Sequence, residues 1–288
     1  MNDGLARALG AALGVRVEAL RPVAGGDSND AFRADLGDGR RVFVKTGAAA
    51  PAGMYAAERR GLAWLAAARA LRVPECIAVA DGDAGPRFLV LEWLEPGRRC
   101  RDFDERLGRG LALLHGAGAP GFGLDHDNFI GPLPQANAPR PTWAEFWGRQ
   151  RLAPQLARAV VAGRVDAALR RRLEQHIERL DDVVGPAEPP ARLHGDLWSG
   201  NVHADAAGRP CLVDPAVYGG HREVDLAMLQ LFGAPGPRFF AAYEEVWPLA
   251  AGWRARVPLY QLYPLLVHVN LFGGSYVAQL DAALARQE

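Results

Sequence analysis

Two short apolar segments and the loop between them constrain this chain most. Arg192-Leu193 has the look of a strand end, and it runs into His194-Gly195-Asp196-Leu197-Trp198-Ser199-Gly200-Asn201. Cys211-Leu212-Val213 forms a second strand signal and ends in Asp214-Pro215. Asp196 and Asn201 stand five positions apart, and Asp214 follows thirteen residues after Asn201. A fold that brings these strand ends together sets two carboxylates and an amide oxygen around one point. Such a set suits a base for a hydroxyl proton and oxygen ligands for a hard cation. Taken alone, Asp and Asn in a glycine-containing loop are ordinary turn residues, so the reading depends on what else the chain supplies.

It supplies a single lysine. Lys and Arg together number 33, and all but Lys45 are arginine. The richness in Ala, Gly, Arg and Pro suggests a coding bias towards arginine, which serves wherever only a positive charge is needed. A compact ammonium is a different tool. Lys45 ends the strand signal Arg41-Val42-Phe43-Val44-Lys45, just after the hairpin signal Gly37-Asp38-Gly39. Before it come an amphipathic helix over 3–13, a strand over 15–20, the turn-rich run Gly25-Gly26-Asp27-Ser28-Asn29-Asp30, and a strand over 31–36. Gly25 and Gly26 are candidates to cradle a phosphate, although the run is not of the G-x-G-x-x-G form. A helix is expected over 54–71, with Glu58, Leu62 and Leu65 on one stripe, so Glu58 can reach Lys45. Strand signals at 77–81 and 87–94 follow. Glu95-Pro96-Gly97 then breaks the pattern and predicts a linker.

From Asp102 the periodicity is mainly helical. A helix is expected up to His115-Gly116, and residues 117–141 form a long Gly-, Pro- and Asn-rich segment of the kind that often binds ligands. Helices over 142–162 and 165–184 come next, the first carrying Trp143, Phe146 and Trp147 as core residues. Later helices are expected over 237–247 and 258–272 and at the C-terminus. Asp225 precedes an apolar helical run and is placed to bond the backbone of the 194–201 loop, which His194 is expected to brace. His203, Asp205 and His221 fit none of the usual zinc spacings.

Bulk properties exclude several classes of function. Lys plus Arg equals Asp plus Glu, for a net charge of zero, so nothing points to nucleic acid or an anionic membrane surface as partner. No apolar run approaches the roughly 20 residues of a membrane span, and the first residues lack a signal-peptide pattern. Cys76, Cys100 and Cys211 have no pair spacing and are expected to be reduced thiols in a cytoplasmic protein.

The order of the pieces is glycine loop, strand lysine, helix glutamate, hinge, D-x-x-x-x-N and strand aspartate. It resembles the protein-kinase pattern. The resemblance implies an α+β, bilobal protein-kinase-like fold. An N-lobe of antiparallel sheet plus one helix, residues 1–94, would bind ATP, and a mainly helical C-lobe, residues 95–288, would carry catalysis and the substrate. Asp196 would be the base, Asn201 and Asp214 the Mg²⁺ ligands, and Lys45, positioned by Glu58, the phosphate-binding lysine. The adenine would meet backbone groups near Glu92 and Leu94. His-Gly-Asp and Asp-Pro, in place of His-Arg-Asp and Asp-Phe-Gly, point away from protein kinases and towards small-molecule kinases.

More specifically, the chain resembles the fructosamine kinase (ketosamine 3-kinase) family over nearly its whole length. The matching stretches are Gly25-Gly26-Asp27, Val42 to Lys45, Gly123 to Gly131, Pro134 to Asn137, His194 to Asn201, Asp214 to Ala216, His221 to Met228 and His268 to Gly273. The resemblance implies ATP-dependent phosphorylation of the 3-hydroxyl of a ketosamine, ribulosamine and erythrulosamine adducts as well as fructosamines, followed by release of the amine: deglycation. The substrate would be a small ketosamine or a glycated lysine on a protein, and the enzyme a monomer. Trp198, Asn128 and His221 are the candidate substrate residues. Two departures stand out. Some relatives have a cysteine in the glycine loop where this chain has Asp27-Ser28-Asn29, and the stretch from Leu231 to Pro237 replaces a commoner Gly-Gly-Phe. The alternatives are a kinase of the same fold acting on an aminoglycoside, choline or homoserine, and a nucleotide-binding protein without catalysis.

Overall fold

The structure is a computed structural model that describes residues 2–23, 30–82, 85–233 and 235–287. Gly25 and Gly26, the candidate phosphate cradle, lie outside the described residues. After helix α1 (Asn2–Leu13), strands β1 (Val17–Pro22), β2 (Asp30–Leu36) and β3 (Arg41–Thr46) form a meander. Helix α2 (Met54–Ala67) follows, then β4 (Cys76–Ala80) and β5 (Phe88–Glu92). The five strands make one sheet of order β1-β2-β3-β5-β4, antiparallel at every pairing.

Period two decides what each face of this sheet carries. Val42 and Val44 of β3 join Phe88 and Val90 of β5 in the core under α1, with Leu5 and Leu9. Leu89 and Leu91 turn to the other face and pack with Met54, Tyr55 and Leu62 of α2, with Phe43 alongside. Lys45 shares the parity of Phe43, so its ammonium points to the α2 side.

Helix α2 stops before the expected residue 71. Arg69 takes a left-handed φ of 52°, which ends the helix and turns the chain so that Leu212 N donates to Arg72 O at 2.8 Å. The sheet is thereby tied to the rest of the molecule by backbone as well as by side chains.

The C-terminal part holds α3 (Phe103–Gly116), α4 (Trp143–Phe146), α5 (Ala153–Val161), α6 (Ala167–Glu178) and α7 (Leu180–Val183). A π-helical stretch, Trp147–Leu152, joins α4 to α5 in one continuous rod. Thr142 caps its start by accepting from Glu145 N at 3.2 Å. The long 117–141 segment contains a hairpin that periodicity did not predict, β6 (Asn128–Ile130) and β7 (Leu133–Gln135). Short strands β8 (Ala191–Leu193), β9 (Val202–Ala204), β10 (Pro210–Leu212) and β11 (Tyr218–Gly220) carry the organising loop. Then come α8 (Glu223–Leu231), α9 (Pro237–Val246), α10 (Trp253–Phe272) and α11 (Ser275–Ala285). Helix α10 begins a turn earlier than expected and keeps Pro258 and Pro264 inside it.

One large core packs α4, α5, α6, α10 and α11 around Trp143, Phe146 and Trp147, as expected of those rings. A second sits between α3, α9 and the organising loop, and it reaches Leu65 of α2. No helix among the described residues is long and apolar enough to cross a membrane.

Candidate active site

A cavity of about 700 Å³ lies between the sheet and the helical part. Lys45, Glu58, Glu92, Leu94, Asn128, Asp196, Trp198, Asn201 and Asp214 all line it. Residues scattered over 170 positions of sequence therefore share one space.

The upper wall holds the lysine. Lys45 Nζ lies 2.7 Å from Glu58 Oε1, and both residues are buried. The same ammonium makes a close ion pair with Asp214, whose carboxylate is more exposed. Lys45 is thus held between two carboxylates, one from α2 and one from the far wall. Glu92 faces the cavity at the end of β5, but its carboxylate pairs with Arg72 and its N–H donates to Glu75 O at 2.8 Å.

The floor is the 194–201 loop. Gly195 has a φ of +82°, and a Cβ there would fall 2.1 Å from Ala216 O, so only glycine lets the loop pass so close to the strand beside it. Asp225 Oδ2 accepts from His194 N at 2.7 Å, and its Oδ1 accepts from Gly195 N at 2.9 Å. His115 Nε2 donates to Asp225 Oδ2 at 3.1 Å. Burial pushes the Asp225 carboxyl up, but His115 and the backbone N–H donors outweigh it and hold the group below the usual carboxylate range. The sequence expectation for Asp225 is met.

His194 is buried, and desolvation lowers its pKa, so it is neutral. Its Nε2 donates to Val213 O at 2.9 Å, and its Nδ1 accepts from Asp196 N at 3.3 Å. This fixes the tautomer and makes the ring a brace between the two strand ends. Asp196 opens to the cavity while protein surrounds it on its other sides. That burial, only partly opposed by the Asn201 hydrogen bond, pushes its pKa up to about 7. Asn201 Nδ2 donates to Asp196 O at 2.9 Å and to Asp196 Oδ2 at 3.3 Å, which leaves Asn201 Oδ1 as a further oxygen at the site. Asp214 sits at φ 56°, a left-handed conformation uncommon for a non-glycine residue and typical of functional turns.

Asn201 Oδ1 and the Asp214 carboxylate make an all-oxygen donor set, and an ammonium already rests against Asp214. The set fits a hard divalent cation bound through a few protein oxygens plus phosphates and water.

Behind the floor lies a polar network that sequence reading did not assemble. Asn128 Nδ2 donates to Val217 O at 2.9 Å, and its Oδ1 accepts from Gln135 at 2.8 Å and Asn137 at 2.9 Å. Gln135 also donates to Ala216 O at 3.0 Å. Arg151, fully buried on the π-helical stretch, donates to Asn137 Oδ1 and to Ala136 O, each at 2.6 Å, and lies over the Tyr218 ring at 3.8 Å. The β6–β7 hairpin is thereby fastened to residues 216–217, just past Asp214. Asn128 touches the cavity but spends its side chain on this fastening. The one available signal was the polar spacing of Asn128, Gln135 and Asn137 within a loop of otherwise turn-like residues.

His221 is a correction. It does not line the cavity; it is buried, stacks on Tyr260 at 5.5 Å, and burial pushes its pKa down to about 4. Its place at the start of an apolar helix turns the ring into the core. Trp198, by contrast, stands at the cavity edge with 37% of its surface exposed.

Known proteins resemble this one over nearly the whole chain. The family described as fructosamine kinase matches residues 1–287. An Enterococcus faecium protein named as a probable ketoamine kinase is 41% identical over 268 residues, covering 91% of this chain and 93% of its own. A chloroplastic protein-ribulosamine 3-kinase of Oryza sativa subsp. indica is 35% identical over 91% of this chain and 76% of its own. A Thermobifida fusca crystal structure described as a candidate fructosamine-3-kinase superposes with a TM-score of 0.90 at 42% identity, over 99% of this chain and 98% of its own.

Proposed function

The chain belongs to the fructosamine kinase family, and from that premise we propose that it transfers the γ-phosphoryl group of ATP to the 3-hydroxyl of a ketosamine. The observation that carries this reading is the meeting of Lys45–Glu58, Asp196–Asn201 and Asp214 on one cavity. Residues 1–94 act as the ATP-binding lobe and residues 95–288 as the catalytic and substrate lobe. The adenine lies against the segment from Glu92 to Leu94. Lys45, held by Glu58, meets the phosphates.

Asp196 orients the acceptor hydroxyl and takes its proton, a task suited to a carboxylate with a pKa near the working pH. Asn201 and Asp214 would hold Mg²⁺, which when bound would supply positive charge against the phosphate oxygens. With a cation on the Asp214 carboxylate, Lys45 would be free to turn from Asp214 to the phosphates while keeping Glu58. Trp198 forms the edge of the acceptor pocket. The phosphorylated adduct goes on to lose its amine. The enzyme works as a monomer in the cytoplasm, on small ketosamines or glycated lysines.

The test is ATP consumption with Mg²⁺ against ribulosyl-lysine, fructosyl-lysine, an aminoglycoside and choline, with Asp196→Asn as control. Turnover on the ketosamines alone is expected, with kcat reduced by about 10³-fold or more in the variant while ATP still binds. Undiminished kcat in Asp196→Asn rejects the base assignment. Turnover on choline or the aminoglycoside instead rejects the substrate class.

A further inference from the structure

Past Asp196 the cavity wall becomes a run of rings. Trp198 meets Phe232 edge to face at 6.2 Å, and Phe232 meets His268 at 4.9 Å. His268 in turn meets Phe272 at 5.7 Å and Tyr276 at 4.8 Å. All five line the cavity that holds Asp196. They come from four places in the chain: the organising loop, the end of α8, one face of α10 where His268 and Phe272 stand four apart, and the first turn of α11.

The rings are held in position. A Cβ at Gly200 would fall 2.3 Å from the Trp198 ring, so the indole packs against a residue that has no side chain. Ser199 Oγ donates to Phe232 O at 3.2 Å, and His268 Nδ1 donates to Pro264 O at 2.7 Å. The outer end of the wall reaches the surface, where 51% of Phe272 and 37% of Trp198 are exposed.

Charge is distributed unevenly around this space. Among the described residues, the Lys, Arg, Asp and Glu that line the cavity are Lys45, Glu58, Glu92, Asp196 and Asp214, and all of them belong to the upper wall or the floor. Between Phe232 and Tyr276 the lining is Val267, His268, Leu271 and Phe272.

In a ketosamine the nitrogen is bonded to C1, two carbons from C3. With the C3 hydroxyl at Asp196, the nitrogen and its substituent must leave along an adjacent wall. That nitrogen is a secondary amine and is protonated near neutral pH. Ring faces attract such a cation, most strongly where water is excluded. A carboxylate carried on the same amine would meet no lysine or arginine among the described residues of the ring side and would lose its water with little return.

We propose that the wall of Trp198, Phe232, His268, Phe272 and Tyr276 is the amine subsite, and that it takes ketosamines whose nitrogen carries an aromatic or unbroken apolar chain. The substituted ammonium is received by ring faces rather than by a carboxylate. The proposal rests on reading the cavity as a ketosamine kinase site.

The experiment keeps the sugar constant and varies the amine. Ribulose adducts of benzylamine, hexylamine, glycine and 1,3-diaminopropane are compared by kcat/KM, in the wild type and in Phe272→Ala and Phe272→Glu. The benzylamine and hexylamine adducts are expected to exceed the glycine and diamine adducts by about tenfold or more. Phe272→Ala is expected to raise the KM for the benzylamine adduct several-fold, with the effect on the ketosamine rather than on ATP. Phe272→Glu, at a half-exposed site that tolerates a charge, is expected to shift preference to the diamine adduct. Equal kcat/KM across the four adducts, or a wild-type preference for glycine or the diamine, overturns the subsite and leaves the ketosamine kinase reading standing. No turnover on any adduct, with ATP still bound, overturns both.

Discussion

The two walls of the cavity hold their charged groups by different means. The upper wall is local. The alternation of β3 aims Lys45 inward, and α2 brings Glu58 to it thirteen residues later. The floor is held from a distance. Its loop hangs on Asp225, thirty residues further on, and Asp225 is gripped by His115, 110 residues earlier. The segment just past Asp214 is fastened by Asn128 and Gln135, more than 80 residues away. A local wall can lose one member and keep its shape. A floor hung from remote supports should fail as a unit.

The sharpest way to break that contrast is Asp225→Asn, at a fully buried residue that does not line the cavity. The amide leaves one of two buried N–H donors without a carboxylate oxygen and removes the partner of His115. We expect a loss of about 3 kcal/mol in stability, a drop of several degrees in Tm, and a kcat about 10²-fold lower. Thermal melts and steady-state kinetics on the same preparation check it, and a normal melt would refute the remote-support argument. Glu58→Gln tests the other wall. It keeps the shape and leaves Lys45 with Asp214 as its remaining carboxylate, so about a tenfold fall in kcat/KM is expected, with a smaller loss of stability than in Asp225→Asn because the buried ammonium keeps a partner. A collapse as large as that of Asp225→Asn would erase the distinction.

The smallest effect separates two aspartates of the floor by pH. Asp196 has a folded pKa near 7, above its unfolded value, so the native state holds its proton more tightly. Its contribution to stability therefore declines as pH rises from about 4 to 7 and stays unfavourable above that. Asp225 is depressed, so its contribution is present above the unfolded carboxylate pKa and is lost as pH falls through the folded value. Asp196→Asn should thus raise Tm by a few degrees at pH 8 and by nothing at pH 4. An equal shift at both pH values would mean that the carboxylate is not desolvated. The same pKa places the acid limb of kcat/KM for the free enzyme near pH 7, with the rate rising as pH climbs through it.

This difference between the walls also explains what the sequence made legible. Lys45, Glu58, Asp196, Asn201 and Asp214 could be found because each sits at a fixed offset from a strand, helix or turn signal, and because their order resembles a known pattern. Asp225 was found because it opens an apolar helical run soon after the 194–214 segment, although an acid in a first helical turn is ordinary in itself. The sheet of five strands and its helix followed from period two and period 3.6. The Asn128–Gln135–Asn137–Arg151 network was not legible as a network. Its members meet only after the hairpin and the π-helical stretch have formed, and neither leaves a periodic trace. His221 was misplaced for a related reason: a histidine beside a functional loop looks the same in sequence whether its ring faces the cavity or the core. The early end of α2 at Ala67 escaped because nothing in Ala67-Ala68-Arg69 marks a stop, and tertiary pairing at Arg72 imposes it.

Lys45 has one further consequence. Reducing sugars glycate proteins by condensing their carbonyl with an unprotonated, accessible amine. The chain has one lysine, 8% exposed and held between the carboxylates of Glu58 and Asp214. Its arginine-covered surface therefore offers no lysine nucleophile to the same carbonyl chemistry whose adducts this family acts upon. The lysine proposed to meet the phosphates is also the one that the fold keeps out of the reach of sugar.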